Sequence, residues 1–87
     1  MARKDQHSLC LRRIDPTRNM RRFYVLSTQP NLFGGVSLVR NWGRIGTFGQ
    51  SMVETFHDAE DADEALNRLE RAKRRRGYRE TSATERD

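Results

Sequence analysis

The apolar positions along this 87-residue chain fall into two rhythms, first a period of two and then a period near four. His7-Ser8-Leu9-Cys10-Leu11-Arg12-Arg13-Ile14 alternates, with Leu9 and Leu11 on one side, and predicts a first strand. Asp15-Pro16-Thr17-Arg18-Asn19 is turn chemistry, because proline presets its φ and Asp and Asn bond locally. Residues 22–28, Arg-Phe-Tyr-Val-Leu-Ser-Thr, are apolar on both sides, which predicts a central strand. A break at residues 29–35 leads to a third strand over 36–42, a glycine-rich turn over Gly43–Gly49, and a fourth strand over Gln50–His57. Strands joined directly by turns favour an antiparallel meander.

The rhythm then changes. Ala62, Ala65, Leu66, Leu69, Ala72 and Lys73 recur at the spacing of one helical face. Asp58 is a suitable N-cap, acids crowd the first turns, Lys73-Arg74-Arg75-Arg76 fill the last turn, and Gly77 follows as a stop. The narrow, alanine-rich stripe suits a helix lying close on a sheet. The expected fold class is α+β, about four antiparallel strands with one C-terminal helix packed across them. Residues 1–6 are expected to be a flexible N-terminus, 7–78 the domain, and 79–87 a disordered tail.

Composition narrows the chemistry. Apolar residues make up 34% and charged residues 33%, enough for one modest core under a heavily solvated surface. Nothing resembles a membrane span or a secretory signal, and the single Cys10 gives no disulfide framework, which together suit a cytoplasmic setting. The net charge of +5 is unevenly spread: residues 1–57 carry nine bases against three acids, residues 58–67 five acids and no base, and residues 68–87 eight bases against four acids. The helix dipole accounts for the swing between the last two blocks. The basic first block points to a polyanion, most commonly a phosphate backbone.

Catalysis finds little footing. His7 and His57 are far apart and lack metal-ligand spacing. Glu54 is the only acid between Asp15 and Asp58, so no carboxylate pair can be drawn there. Gly43-x-x-Gly46-x-x-Gly49 opens no helix and is not a dinucleotide fingerprint. The chain is therefore expected to be no enzyme, with no cofactor, no metal and no small-molecule substrate.

Binding is better founded. Arg40, Trp42 and Arg44 gather around Gly43, and Arg12, Arg13, Arg18, Arg21 and Arg22 gather at the first hairpin. Arginine takes phosphate bidentately and stacks on flat surfaces, and an adjacent aromatic offers a stacking platform. A glycine directly after Trp42 marks a bulge, a corner or a close approach. Residue types alone leave two readings of Trp42 open, a core ring beside a turn or an exposed ring for sugar and base. An acidic protein is the alternative partner for the same surface.

Trp42-Gly43-Arg44, continued by Ile45-Gly46-Thr47 and Gly49-Gln50, resembles the signature of the WGR domain, a module of poly(ADP-ribose) polymerases and of bacterial proteins. Phe23-Tyr24-Val25-Leu26 upstream resembles the family's aromatic strand, and Phe56 with the helix resembles its downstream half. The resemblance spans roughly residues 7–78 and implies a compact sheet crossed by a helix. It also implies DNA more than RNA as partner, with ends or breaks as sites. By position, Trp42 matches a tryptophan that packs on the sugar of a terminal nucleotide, and Arg44 an arginine that touches neighbouring domains. Arg74-Arg75-Arg76-Gly77-Tyr78 departs from the eukaryotic pattern, and Gly34-Gly35 is closer to the bacterial one. The expected nucleic-acid site comprises Arg12, Arg22, Arg40, Trp42, Gly43, Arg44 and Gln50.

Overall fold

The computed structural model describes residues 7–81. Strands β1 (His7–Asp15), β2 (Met20–Pro30), β3 (Val36–Arg44) and β4 (Gln50–Phe56) form an antiparallel meander. Helix α1 (Ala59–Arg75) follows, and a two-residue strand β5 (Arg79–Glu80) returns to pair with β1. The sheet order is β4-β3-β2-β1-β5, so β2 is the central strand that its two apolar sides predict. A short 3-10 turn, Pro16–Arg18, joins β1 to β2.

Directly opposed residues of neighbouring strands share a face, so the register sorts every side chain. Leu11, Tyr24, Trp42 and Gln50 form one row across β1 to β4, and Leu9, Leu26, Arg40 and Met52 form the next. This is the face that α1 covers. Leu11, Leu26 and Leu38 are fully buried and run diagonally under the helix, where Ala65 and Leu66 join them in one core and Ala62 is buried as well. Alanine at the contact lets the helix settle close to the sheet, as its narrow stripe requires. The opposite face carries Cys10, Phe23, Val25 and Val39, all half-buried, and an exposed Val53.

Three details depart from the sequence reading. The strand count is five. Arg79 and Glu80, assigned above to a disordered tail, pair with Arg12 and Leu11, and the Thr81 amide donates to the Cys10 carbonyl at 2.8 Å. Arg74 holds this segment in place, since its guanidinium reaches Glu70 at 2.8 Å and Glu80 at 3.1 Å. The remainder of that expected tail, and the expected flexible residues 1–6, lie outside the described residues. Asp58 does occupy the N-cap in extended geometry, but its side chain makes no capping bond. The helix start rests instead on the Asp58 carbonyl, which accepts from Ala62 N at 3.3 Å, and on Glu60 and Asp61 at the positive end of the dipole.

Candidate nucleic-acid interface

One register step beyond the Leu11–Tyr24–Trp42 row, at the β1–β2 hairpin end, stands the row Arg13–Arg22–Arg44. Three strands thus place three guanidinium-bearing residues side by side on the helix-covered face. Like charges directly opposed across a sheet are destabilising. Around this row opens a cleft of about 460 Å³. Arg13, Arg18, Arg21, Arg22, Arg44, Lys73 and Arg76 supply its cations, Tyr24, Trp42 and Tyr78 its aromatic walls, and no carboxylate lines it. The acid nearest in sequence, Asp15, stays outside the lining but pairs with Arg18 at 3.7 Å. Its carboxylate accepts from the Thr17 hydroxyl at 2.7 Å and the Thr17 amide at 3.2 Å, capping the 3-10 turn. Those bonds, with smaller help from Arg18 and Arg13, hold its carboxyl below the usual range.

The aromatic wall is built in sequence. Tyr24 is buried, Trp42 stacks on it with centroids 5.8 Å apart and planes 19° from parallel, and Tyr78 meets it edge-on at 6.3 Å. Trp42 is half-buried, so its ring is part core and part wall. Tyr78 arrives because the chain leaves α1 at Gly77 and turns back under the helix end, with the Tyr78 amide donating to the Lys73 carbonyl at 3.1 Å. Lys73 then lies over both tyrosines, with Nζ 4.4 Å from the Tyr24 centroid and 5.7 Å from that of Tyr78.

Lys73 titrates below an ordinary lysine, first because burial penalises its charged form and then because Arg76, Arg40 and Arg22 repel it. The folded protein therefore binds this proton less tightly than the unfolded chain does. The resulting penalty is present at neutral pH and fades as pH rises through the lowered value. An anion in the cleft reverses the repulsion. The expected result is that inorganic phosphate moves the Lys73 Nζ titration upward, read by NMR of the labelled side chain. A midpoint that phosphate leaves unmoved would show that the cleft does not take the anion.

Gly43 continues β3 without a bulge, opposite Phe23, so the ring of Trp42 keeps the phase of Leu38 and Arg40 on the helix side. The glycine is needed for close approach: a Cβ there would lie 2.7 Å from the Cα of Gly49. Gly49 is tighter still, because its φ of +73° suits glycine and a Cβ would run into the Trp42 carbonyl. Two glycines therefore let the β3–β4 loop fold back against the strand that carries Trp42.

Of the expected site residues, Arg22, Trp42, Gly43 and Arg44 line the cleft. Arg40 does not. It lies on the same face beside the helix, with its guanidinium 3.5 Å from Glu54 and its Nε buried without a hydrogen-bond partner. Gln50 pairs opposite Trp42 on the exposed strand β4 and is not in the lining. Arg12 points to the other face, where it stands opposite Arg79. The alternation of β1 carried this signal, since Arg12 and Arg13 must face opposite ways. The expected site left out Tyr24, Lys73, Arg76 and Tyr78, and also Arg13, Arg18 and Arg21, which the sequence reading gathered at the first hairpin without placing them in the site. Lys73 and Arg76 read as a solvated helix terminus, and the packing of α1 across the sheet brings that terminus to the arginine row.

A small meander sheet backed by one helix, with a tryptophan-glycine-arginine segment walling a cationic cleft, defines a compact α+β module without a gathered metal site among the described residues. The family model described as the WGR domain matches residues 7–85, and the chain belongs to that family. It is 53% identical over 73 residues to an uncharacterized protein of Sinorhizobium fredii, y4dW, covering 84% of this chain and 36% of that one. Its fold is similar to that in a crystal structure of a Bacteroides fragilis protein, with a TM-score of 0.71 and 25% identity over 93% of this chain and 22% of that one. The chain thus spans about a third of the curated relative and a fifth of the solved one. No helix among the described residues is long and apolar enough to cross a membrane.

Proposed function

We propose that this chain is a non-enzymatic nucleic-acid-binding module whose contact surface is the cleft around Arg13, Arg22 and Arg44. The observation that carries the reading is the arginine row: three like charges aligned in one register, ringed by four more cations, with no carboxylate in the lining. Such an arrangement costs the free protein stability and is offset when phosphates enter. Half-buried Trp42 beside the row offers a flat surface to a sugar or base. Membership of the WGR family is consistent with nucleic-acid binding in general, and the resemblance to the polymerases' module is what implies DNA before RNA. The module works by positioning a backbone, with the arginines taking phosphate oxygens and the aromatic wall excluding water from one side.

Fluorescence anisotropy with a labelled, 5′-phosphorylated DNA hairpin at several salt concentrations tests this. Affinity is expected to fall linearly on a log–log plot, with a slope of about −0.9 for each phosphate neutralised. Binding that ignores salt, or that an acidic protein supports and DNA does not, would transfer the cleft to a protein partner.

A further inference from the structure

The sheet treats its two edges differently. At the β1 edge, β5 is two residues long, carries Arg79 and Glu80, and is followed by the Thr81 amide, which donates to the Cys10 carbonyl at 2.8 Å. A very short, charged strand is a common way to blunt an edge against other chains. The β4 edge has no such device. Its seven residues, Gln50–Phe56, pair with β3 in an unbroken register, and among the described residues no strand covers their outer side. Gln50 to Thr55 are all exposed, Glu54 is the only charged residue, and the strand holds no proline. Every second residue of such a strand turns its amide and carbonyl outward, as a template for another strand.

The strand is complementary to itself. A second β4, antiparallel and with its helix on the same side of the sheet, meets the first about a two-fold axis that passes through one residue. With the axis at Val53 the whole strand pairs: Gln50 with Phe56, Ser51 with Thr55, Met52 with Glu54, and Val53 with its own copy. A shift of two residues one way opposes Glu54 to Glu54, a like-charge pair, and the other way leaves Thr55 and Phe56 unpaired. In the full register the open side gains a continuous apolar row, Val39 and Val53 of each copy. On the helix side, Glu54 of the second copy arrives opposite Met52, against which the Arg40 guanidinium lies, 3.5 Å from its own Glu54. The larger distribution of charge fits as well. The Arg13–Arg22–Arg44 row stands at the end of the sheet where β4 begins, and the acidic start of α1, with Glu60 and Asp61, at the end where β4 stops. Antiparallel pairing therefore sets the basic end of one copy beside the acidic end of the other.

We infer that β4 is a self-association edge, which joins two copies of this chain into one continuous antiparallel sheet with Val53 on the two-fold axis. The pairing is independent of what the cleft binds, and it leaves both clefts on the same side of the joined sheet.

Sedimentation velocity on the full chain, from low micromolar to millimolar concentration, tests the association. A reversible monomer–dimer equilibrium is expected, weakened by salt because opposite charges face across the pair. Val53→Lys sets two ammonium groups on the axis and should raise the dissociation constant about 10-fold. A second reading fixes the register. In a Cys10→Ser background, Val53→Cys should form a disulfide between copies on mild oxidation, because the axis brings the two residues directly opposite. Ser51→Cys, equally exposed, faces Thr55 of the second copy and should stay reduced. A parent protein that is monomeric at every concentration overturns the inference. So does a dimer in which the two cysteines cross-link equally, or one that Val53→Lys, folded by circular dichroism, leaves unchanged.

Discussion

A chain carrying Arg22→Gln and Arg44→Gln will bind DNA about 100-fold or more weakly near physiological salt, and in the absence of DNA it will melt higher than its parent. Both effects follow from one register. Arg22 stands between Arg13 and Arg44, so removing two of the three charges relieves both facing pairs at about 0.2–1 kcal/mol each. For a domain of this size such a gain corresponds to a rise of a few degrees in Tm. Glutamine preserves much of the aliphatic stem, so packing along it is largely retained. On the binding side, each lost hydrogen bond from a charged donor costs about 1.5–3 kcal/mol, and two lost phosphate contacts flatten the log–log salt slope by about 1.8. Calorimetry and anisotropy on the same preparation check the pair of signs. A variant that binds weakly and also melts lower would mean that the arginines stabilise the fold and were never held in readiness for an anion. An unchanged salt slope would remove Arg22 and Arg44 from the interface.

Opposite signs of this kind are not readable from composition. The sequence shows that the first hairpin is rich in arginine, but which of Arg12, Arg13, Arg21 and Arg22 act together depends on pairing. Once Ser8 is opposed to Ser27, alternation sends Arg13 and Arg22 to the helix side and Arg12 to the other, while Arg21, out of phase with Arg22, borders the cleft at the hairpin end. The same logic places Trp42. Its phase with Leu38 and Arg40 was legible, and β3 keeps that phase because Gly43 serves close approach and introduces no bulge. Arg40 shares the phase but sits farther along the strand, beside the helix, and the distance from the cleft is set by tertiary packing. The short β5 was illegible for a related reason. Two residues without periodicity carry no strand signal, and their pairing depends on Tyr78 being buried and on Arg74 bridging Glu70 and Glu80. Strongly periodic elements, the helix above all, came through because their stabilising contacts are written in their own spacing.

Trp42→Ala provides the complementary case, in which binding and stability fall together. The ring is half-buried, stacks on Tyr24 and packs against the core that α1 covers, so its removal opens a gap beside a buried tyrosine. Full truncation of a buried aromatic costs about 3–5 kcal/mol, and a half-buried one is expected to lose roughly half of that. With a stability on the order of 5–10 kcal/mol, the variant remains folded at low temperature but melts 8 °C or more below the parent, roughly. Binding measured on the folded protein should also weaken, because Tyr24, over which Lys73 lies, loses the ring stacked on it. Trp42→Phe retains a ring against Tyr24 and should restore most of the stability and less of the affinity, since phenylalanine offers a smaller stacking face. Circular dichroism melts and low-temperature anisotropy separate the two losses. If Trp42→Ala melts with the parent, the ring is not part of the core; if its folded form binds DNA undiminished, the wall is not part of the interface. Set beside the glutamine pair, the expected results distinguish the two components of the proposed interface: an aromatic wall whose loss lowers stability and binding together, and an arginine row whose loss lowers binding while raising stability.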